Sequence, residues 1–148
     1  MNMAHYEIWT DGSCVKSSSK NGRGECGAGY VVMDVETGKI VHLHGEYIGV
    51  TTNNMAEFVA VELALEDLLM REIDGPIDVG IISDSKMVVE SLAGNYNLKE
   101  KHLIEVKERI QKLEAKLKGE REYFWVRGHS GVELNEIADY LAYTAARG

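Results

Sequence analysis

Proline and cysteine are nearly missing from this chain of 148 residues: one proline, Pro76, and two cysteines, Cys14 and Cys26. Two cysteines are too few for a disulfide scaffold, and a single bridge between them stays an open alternative. No apolar run approaches the roughly 20 residues of a membrane span. The first residues carry neither the basic head nor the hydrophobic middle of a signal peptide. The expectation is a cytoplasmic protein with no membrane partner, working as a monomer. No internal repeat or low-complexity stretch is legible, which excludes solenoids and arrays. With 45% hydrophobic residues, 1–148 reads as a single domain around one core.

Positive charge is also scarce. Sixteen basic residues face 24 acidic ones, and the net charge of −8 argues on its face against nucleic acid. The distribution softens that objection. Between Val15 and Gly24 stand Lys16, Lys20 and Arg23 and no acid. From Lys99 to Lys118, seven basic residues (Lys99, Lys101, Lys107, Arg109, Lys112, Lys116, Lys118) outnumber four acids (Glu100, Glu105, Glu108, Glu114). An acidic protein binds a polyanion when metal ions and a local basic stripe face it. Two merely solvated charged surfaces are the competing reading of the same pattern.

Hydrophobic periodicity then lays out the elements. Tyr6, Ile8 and Thr10 alternate with Glu7 and Trp9, the period of a strand. Asp11-Gly12-Ser13 is expected to end that strand in a turn, because Gly12 frees the backbone and short polar side chains bond their own main chain. A polar loop over 15–25 precedes a second strand, Gly27–Val35; Glu36 to Lys39 is a hairpin turn, and Ile40–Ile48 is a third strand. The period changes at Thr51-Thr52-Asn53-Asn54, which offers N-caps to a largely apolar helix over Met55–Met70. Gly75-Pro76 breaks the chain before a fourth strand, Ile77–Ser83, ending at Asp84; Ser85–Leu92 is a short helix. Leu103, Val106, Ile110, Leu113 and Leu117 form the stripe of an amphipathic helix closed by Gly119. A fifth strand, Glu120–Val126, and a last helix, Val132–Ala146, complete the chain. The order implies an α/β fold with a five-stranded mixed sheet, three antiparallel strands and then two parallel ones, with helices on both faces. The strands ending at Asp11 and Asp84 should lie side by side, with their carboxylates at the edge where α/β sheets keep ligands.

Four acids belong together. Asp11 and Asp84 end strands, Glu57 lies three residues after Asn54 on its helix, and Asp139 lies four after Asn135 on one helical face. Asp84 follows Val79-Gly80-Ile81-Ile82, and Asp139 stands between Ile137-Ala138 and Leu141. Acids beside such apolar runs need partners, and one cation serves several of them. Oxygen ligands without thiolate or clustered imidazole select Mg²⁺ or Mn²⁺ over zinc. Two such ions, about 3.5–4 Å apart, are the usual device for in-line phosphodiester cleavage.

Thr10 to Cys14, Gly27-Ala28-Gly29-Tyr30, Thr51 to Glu57, Ser83-Asp84-Ser85 and Trp125 to Gly131 with Asn135 to Ala142 occur in an order that resembles type 1 ribonuclease H, from about Tyr6 to Ala146. The resemblance implies endonucleolytic hydrolysis of the RNA strand of RNA–DNA hybrids, leaving 3′-hydroxyl and 5′-phosphate ends. It implies two Mg²⁺ ions, with Mn²⁺ able to substitute, held by Asp11, Glu57, Asp84 and Asp139. His129 matches a mobile histidine that assists proton transfer or product release, and Asn135 a residue that positions that loop and the substrate. Cys14, Asn53 and Asn54 match positions that reach the hybrid's minor groove, and Thr52 matches part of a pocket for a DNA-strand phosphate. The chain also departs from the pattern. Met55 stands where some relatives carry Arg, and Lys86 where some use Gln. Only 44 residues separate Asp84 from His129, too few for the extra helix that forms a basic protrusion in some members. A single domain without a separate hybrid-binding domain is the expectation. A silent binding module on the same fold and a phosphoryl-transfer enzyme acting on DNA are the rival readings.

Overall fold

The computed structural model describes residues 4–16, 23–71, 73–128 and 131–148. Its elements are β1 (Ala4–Cys14), β2 (Gly24–Asp34), β3 (Lys39–Thr51), α1 (Asn53–Met70), β4 (Ile77–Ser83), α2 (Lys86–Leu92), α3 (Lys101–Leu117), β5 (Lys118–Trp125) and α4 (Glu133–Ala146). The sheet order is β3-β2-β1-β4-β5, with β1, β4 and β5 parallel and β2 antiparallel to both its neighbours. This is the mixed sheet that the element order implies. No helix among the described residues is long and apolar enough to cross a membrane.

Alternation along β1 assigns the two faces. Ile8 is fully buried and, with Val32, Val79 and Ile81, packs under α1, whose Phe58, Val61, Ala64, Leu65 and Leu68 complete the core. α3 lies against α1 and adds Leu103, Val106, Ile110 and Leu117. On the other face α4 covers β1, β2 and β3. It sits directly on backbone: a Cβ at Gly27 or Gly29 would stand 2.4 Å from the carbonyl oxygens of Ala142 and Ala138. The Gly27-Ala28-Gly29 stretch is thus a seat for the helix that carries Asn135 and Asp139.

Several boundaries differ from those read in the sequence. β1 does not turn at Asp11. It continues to Cys14, because Gly12, Ser13 and Cys14 keep their pairing with Ala28, Gly27 and Cys26. What ends near Asp11 is its parallel neighbour: the β1–β4 ladder stops at Thr10 and Ser83, so Asp11 and Asp84 follow its last pair. Cys14 and Cys26 face each other across that extension and form a disulfide, so of the alternatives left by the cysteine count the bridge is the one found. α3 is closed by Lys118, left-handed at φ 61°, and not by Gly119, which already belongs to β5.

Candidate active site

Each acid reaches the site from a different element. Asp11 is carried by β1 and is 4% exposed. Glu57 is in the second turn of α1, a helix that begins when the Thr52 hydroxyl accepts the Met55 N–H at 3.3 Å. Asp84 lies between the end of β4 and Ser85, the N-cap of α2. Carboxylate oxygens of Asp11, Glu57 and Asp84 all lie within 4.8 Å of one another. Asp139, on α4, is hydrogen-bonded to Asp11 from the other side. The four acids singled out in the sequence are therefore brought together.

Backbone donors fix part of this cluster. The Gly12 N–H donates to the Glu57 carboxylate and to Asp11 Oδ1, the latter at 3.0 Å. Like charges at this density disfavour ionisation. Asp11 is driven far above the ordinary carboxylate range, by burial first and then by the charges of Glu57 and Asp84 and the bond with Asp139. Glu57 is raised as well, again chiefly by burial and then by Asp84, although its bonds with Asp11 and the Gly12 amide favour its charged form. The donor set is all carboxylate oxygen. Hard divalent cations take oxygen ligands of this kind, so three carboxylates with oxygens within 4.8 Å of one another suit such an ion.

The remaining residues singled out in the sequence frame this edge. Asn53 and Asn54 open α1 and are exposed; Cys14 lies at the end of β1 and presents a disulfide to that rim in place of a thiol. Thr52 spends an acceptor lone pair on its cap and keeps a hydroxyl proton to donate. Met55, where a cation stands in some relatives, packs against the core. Asn135 is 2% exposed in the first turn of α4. Lys86 opens α2 and holds its ammonium 5.5 Å from the centre of the Trp125 ring. His129 lies outside the described residues.

Two features have no signal in the sequence pattern. The Trp125 indole Nε1–H donates to the Asp84 carbonyl at 3.0 Å; Trp125 opens one of the stretches that carry the resemblance, but nothing in the sequence ties it to Asp84. Glu114 is 4% exposed within α3 and ion-paired with Arg121 of β5 at 2.6 Å, where the charge pattern suggests one acid among several on a solvated face. Its position seven residues before Arg121 gives no hint of that pairing.

Comparison with known proteins bears on what this arrangement does. A family model described as RNase H matches residues 3–147. A protein named Ribonuclease H from Anaeromyxobacter dehalogenans (strain 2CP-C) is 32% identical over 170 aligned residues, which take in 100% of this chain and 83% of that protein. The structure of RNase H1 from the halophilic archaeon Halobacterium salinarum NRC-1 matches with a TM-score of 0.78 at 27% identity, covering 99% of this chain and 98% of that one. LC11-RNase H1, solved in complex with an RNA/DNA hybrid, matches with a TM-score of 0.77 at 30% identity over 96% of each chain.

Proposed function

The chain belongs to the ribonuclease H family, and from that premise we propose that it hydrolyses the RNA strand of RNA–DNA hybrids endonucleolytically, leaving 3′-hydroxyl and 5′-phosphate ends. The observation that carries this reading is the convergence of Asp11, Glu57 and Asp84 oxygens within 4.8 Å, with Asp139 bonded to Asp11. A related protein was solved with an RNA/DNA hybrid bound, which supports the choice of substrate.

Two Mg²⁺ ions, or Mn²⁺ in their place, would be held by Asp11, Glu57, Asp84 and Asp139 and would activate water on one side of the phosphate and stabilise the leaving 3′-oxygen on the other. The chain's own residues do the rest. The Gly12 N–H aims Glu57 into the cluster and keeps it there while the site is unloaded. Asn53, Asn54 and the end of β1 at Cys14 form the rim that meets the minor groove, where 2′-hydroxyls mark the RNA strand. The Thr52 hydroxyl donates to a phosphate oxygen of the DNA strand, and Lys86 adds a cation at the same edge. Asn135 would position the substrate and the segment that follows β5, and His129 would assist proton transfer or product release. The protein acts as a cytoplasmic monomer in this reading.

Purified protein incubated with labelled hybrid, duplex RNA and duplex DNA, each with Mg²⁺, Mn²⁺ or chelator, tests the proposal. Cleavage confined to the RNA strand of the hybrid and abolished by chelator is expected. Metal-dependent cleavage of duplex DNA would favour the rival phosphoryl-transfer reading, and binding without cleavage would favour a silent module.

A further inference from the structure

Asp11 and Asp84 are held in different ways. Asp11 is inside a strand and pairs with Gly29, so the sheet itself fixes its backbone. Asp84 lies past the last residue of β4 and before α2, where neither ladder nor helix does so. The residues on either side of it are fastened: Val126 N–H donates to the Ser83 carbonyl at 3.0 Å, Ser85 N–H to Ser83 Oγ at 3.0 Å, and Val88 N–H to Ser85 Oγ at 3.3 Å. The Trp125 indole acts on Asp84 itself, through the 3.0 Å bond to its carbonyl.

Trp125 is the last residue of β5 and is 47% exposed. Burial of apolar surface therefore accounts for only part of what keeps so large a ring there. Its face is also in use. The Lys86 ammonium lies 5.5 Å from the ring centroid, within the roughly 6 Å over which a cation is attracted to an aromatic face. Lys86 stands two residues after Asp84, and its ammonium, if turned toward the carboxylates, would pair with them and weaken their pull on a metal ion. The ring offers that ammonium another seat, at the mouth of the site.

We propose that Trp125 is a positioning residue: its indole N–H sets the backbone of Asp84 for metal binding, and its ring face holds Lys86 clear of the carboxylates and ready for a substrate phosphate. The inference rests on the hydrolase reading above and deepens it. Both halves have separate readouts. Trp125→Phe keeps an aromatic face and loses the donor. It should bind Mg²⁺ about tenfold more weakly in calorimetry on the substrate-free protein, at the low end of the roughly 10–100-fold cost of removing a group that orients a metal ligand. Its turnover should recover at high Mg²⁺, and the salt dependence of its hybrid binding should stay as in the parent. Lys86→Gln should do the reverse: unchanged Mg²⁺ affinity, and a salt slope shallower by about 0.7–0.9.

The unaltered protein supplies a control that needs no substitution at this position. It has two tryptophans, Trp9 and Trp125, so two indole N–H resonances are expected, assignable through Trp9→Phe. The Trp125 resonance should shift during a Mg²⁺ titration with the calorimetric midpoint. A Trp125 resonance unmoved at saturating Mg²⁺, or a Trp125→Phe isotherm matching the parent, would overturn the inference. A parent protein that neither binds Mg²⁺ nor cuts hybrid would instead overturn the hydrolase reading beneath it.

Discussion

The Gly12 amide donates to the Glu57 carboxylate, and the position tolerates nothing larger than glycine: a Cβ there would lie 2.5 Å from both the Ala56 carbonyl carbon and the Glu57 nitrogen. One residue thereby sets how closely α1 approaches β1 and where an acid of the cluster points. Gly12→Ala forces the helix away. It should cost on the order of 1–3 kcal/mol in a denaturant titration, the range for overpacking a filled interior, and should weaken Mg²⁺ binding. A variant of unchanged stability and metal affinity would show that the helix and strand meet loosely here.

Asp11→Asn and Asp84→Asn should bring hybrid cleavage to the limit of detection and leave the fold intact. Without metal the Asn variants should melt no lower than the parent at pH 8, because Asp11→Asn removes a buried acid that must take up a proton on folding and Asp84→Asn removes a charge that opposes ionisation of its neighbours. Near-normal turnover by either variant at saturating Mg²⁺ would rule out the assigned centre.

The same charges set a pH dependence for the metal-free protein. Both Asp11 and Glu57 have folded pKa values above their unfolded ones, Glu57 at about 8 and Asp11 higher, so the folded state binds more protons than the unfolded chain. Stability contributed by these two groups is present below about pH 4, where both states are protonated. It is lost as pH rises from there, through about 8 for Glu57 and about 11 for Asp11. Mg²⁺ displaces the protons and should restore stability above neutrality, with proton release that scales with buffer ionisation heat in calorimetry. A melting temperature that rises from pH 5 to 9 in chelator contradicts this.

How much of this is legible in the sequence depends on what fixes each element. The order of strands and helices follows from periodicity, and the meeting of Asp11 with Asp84 follows from the parallel crossover. The strand end expected at Asp11 is not found, since Asp-Gly is a turn signal locally and only the partner strand β2 overrides it. Periodicity puts Leu113 in the α3 stripe, yet the structure buries Glu114 and leaves Leu113 partly covered. Either residue suits a helical period. The choice falls to Arg121, whose side chain is 48% exposed beside Glu114 and does not fully offset its burial, so that the acid is held up to about 7. The Trp125–Asp84 bond joins the ends of two strands 41 residues apart, and no local pattern encodes it.

The Cys14–Cys26 bridge gives a further test. It closes a short loop, with a sequence separation of 12, at the rim where the substrate is expected to lie. Constraint of the unfolded chain by a loop of this size is worth about 2–4 kcal/mol. Reduction by a dithiol, or Cys14→Ser with Cys26→Ser, should lower stability by that amount. The bridge lies at the rim and not among the clustered carboxylates, so activity should survive reduction, with any change confined to KM. Loss of kcat on reduction would mean that the bridge shapes the carboxylate cluster itself.

A chain of net charge −8 needs a local basic surface to grip a polyanion. α1 leads into the start of β4 and α3 into the start of β5, and these strands are parallel, so both helices run toward the same end of the sheet. Arg109 of α3 is bonded to Glu62 of α1 at 2.6 Å, which fixes their register. Lys101 precedes Arg109 by eight residues, and Asn54 precedes Glu62 by eight. Lys101 and Asn54 therefore each lie about 12 Å from the pair along their own helices, toward the helix starts, at 1.5 Å per residue. The Lys101 side chain is 91% exposed, with Glu105 4.0 Å away, and Lys99 is exposed just before the helix. Both stand outside the buried stripe. Removing one lysine–phosphate interaction should reduce the salt slope of binding by about 0.7–0.9. Lys99→Ala/Lys101→Ala should therefore raise KM for hybrid and flatten its salt dependence with little change in kcat. An unchanged KM and slope would mean that these lysines only solvate the helix, and would direct the search to Lys16, Lys20 and Arg23.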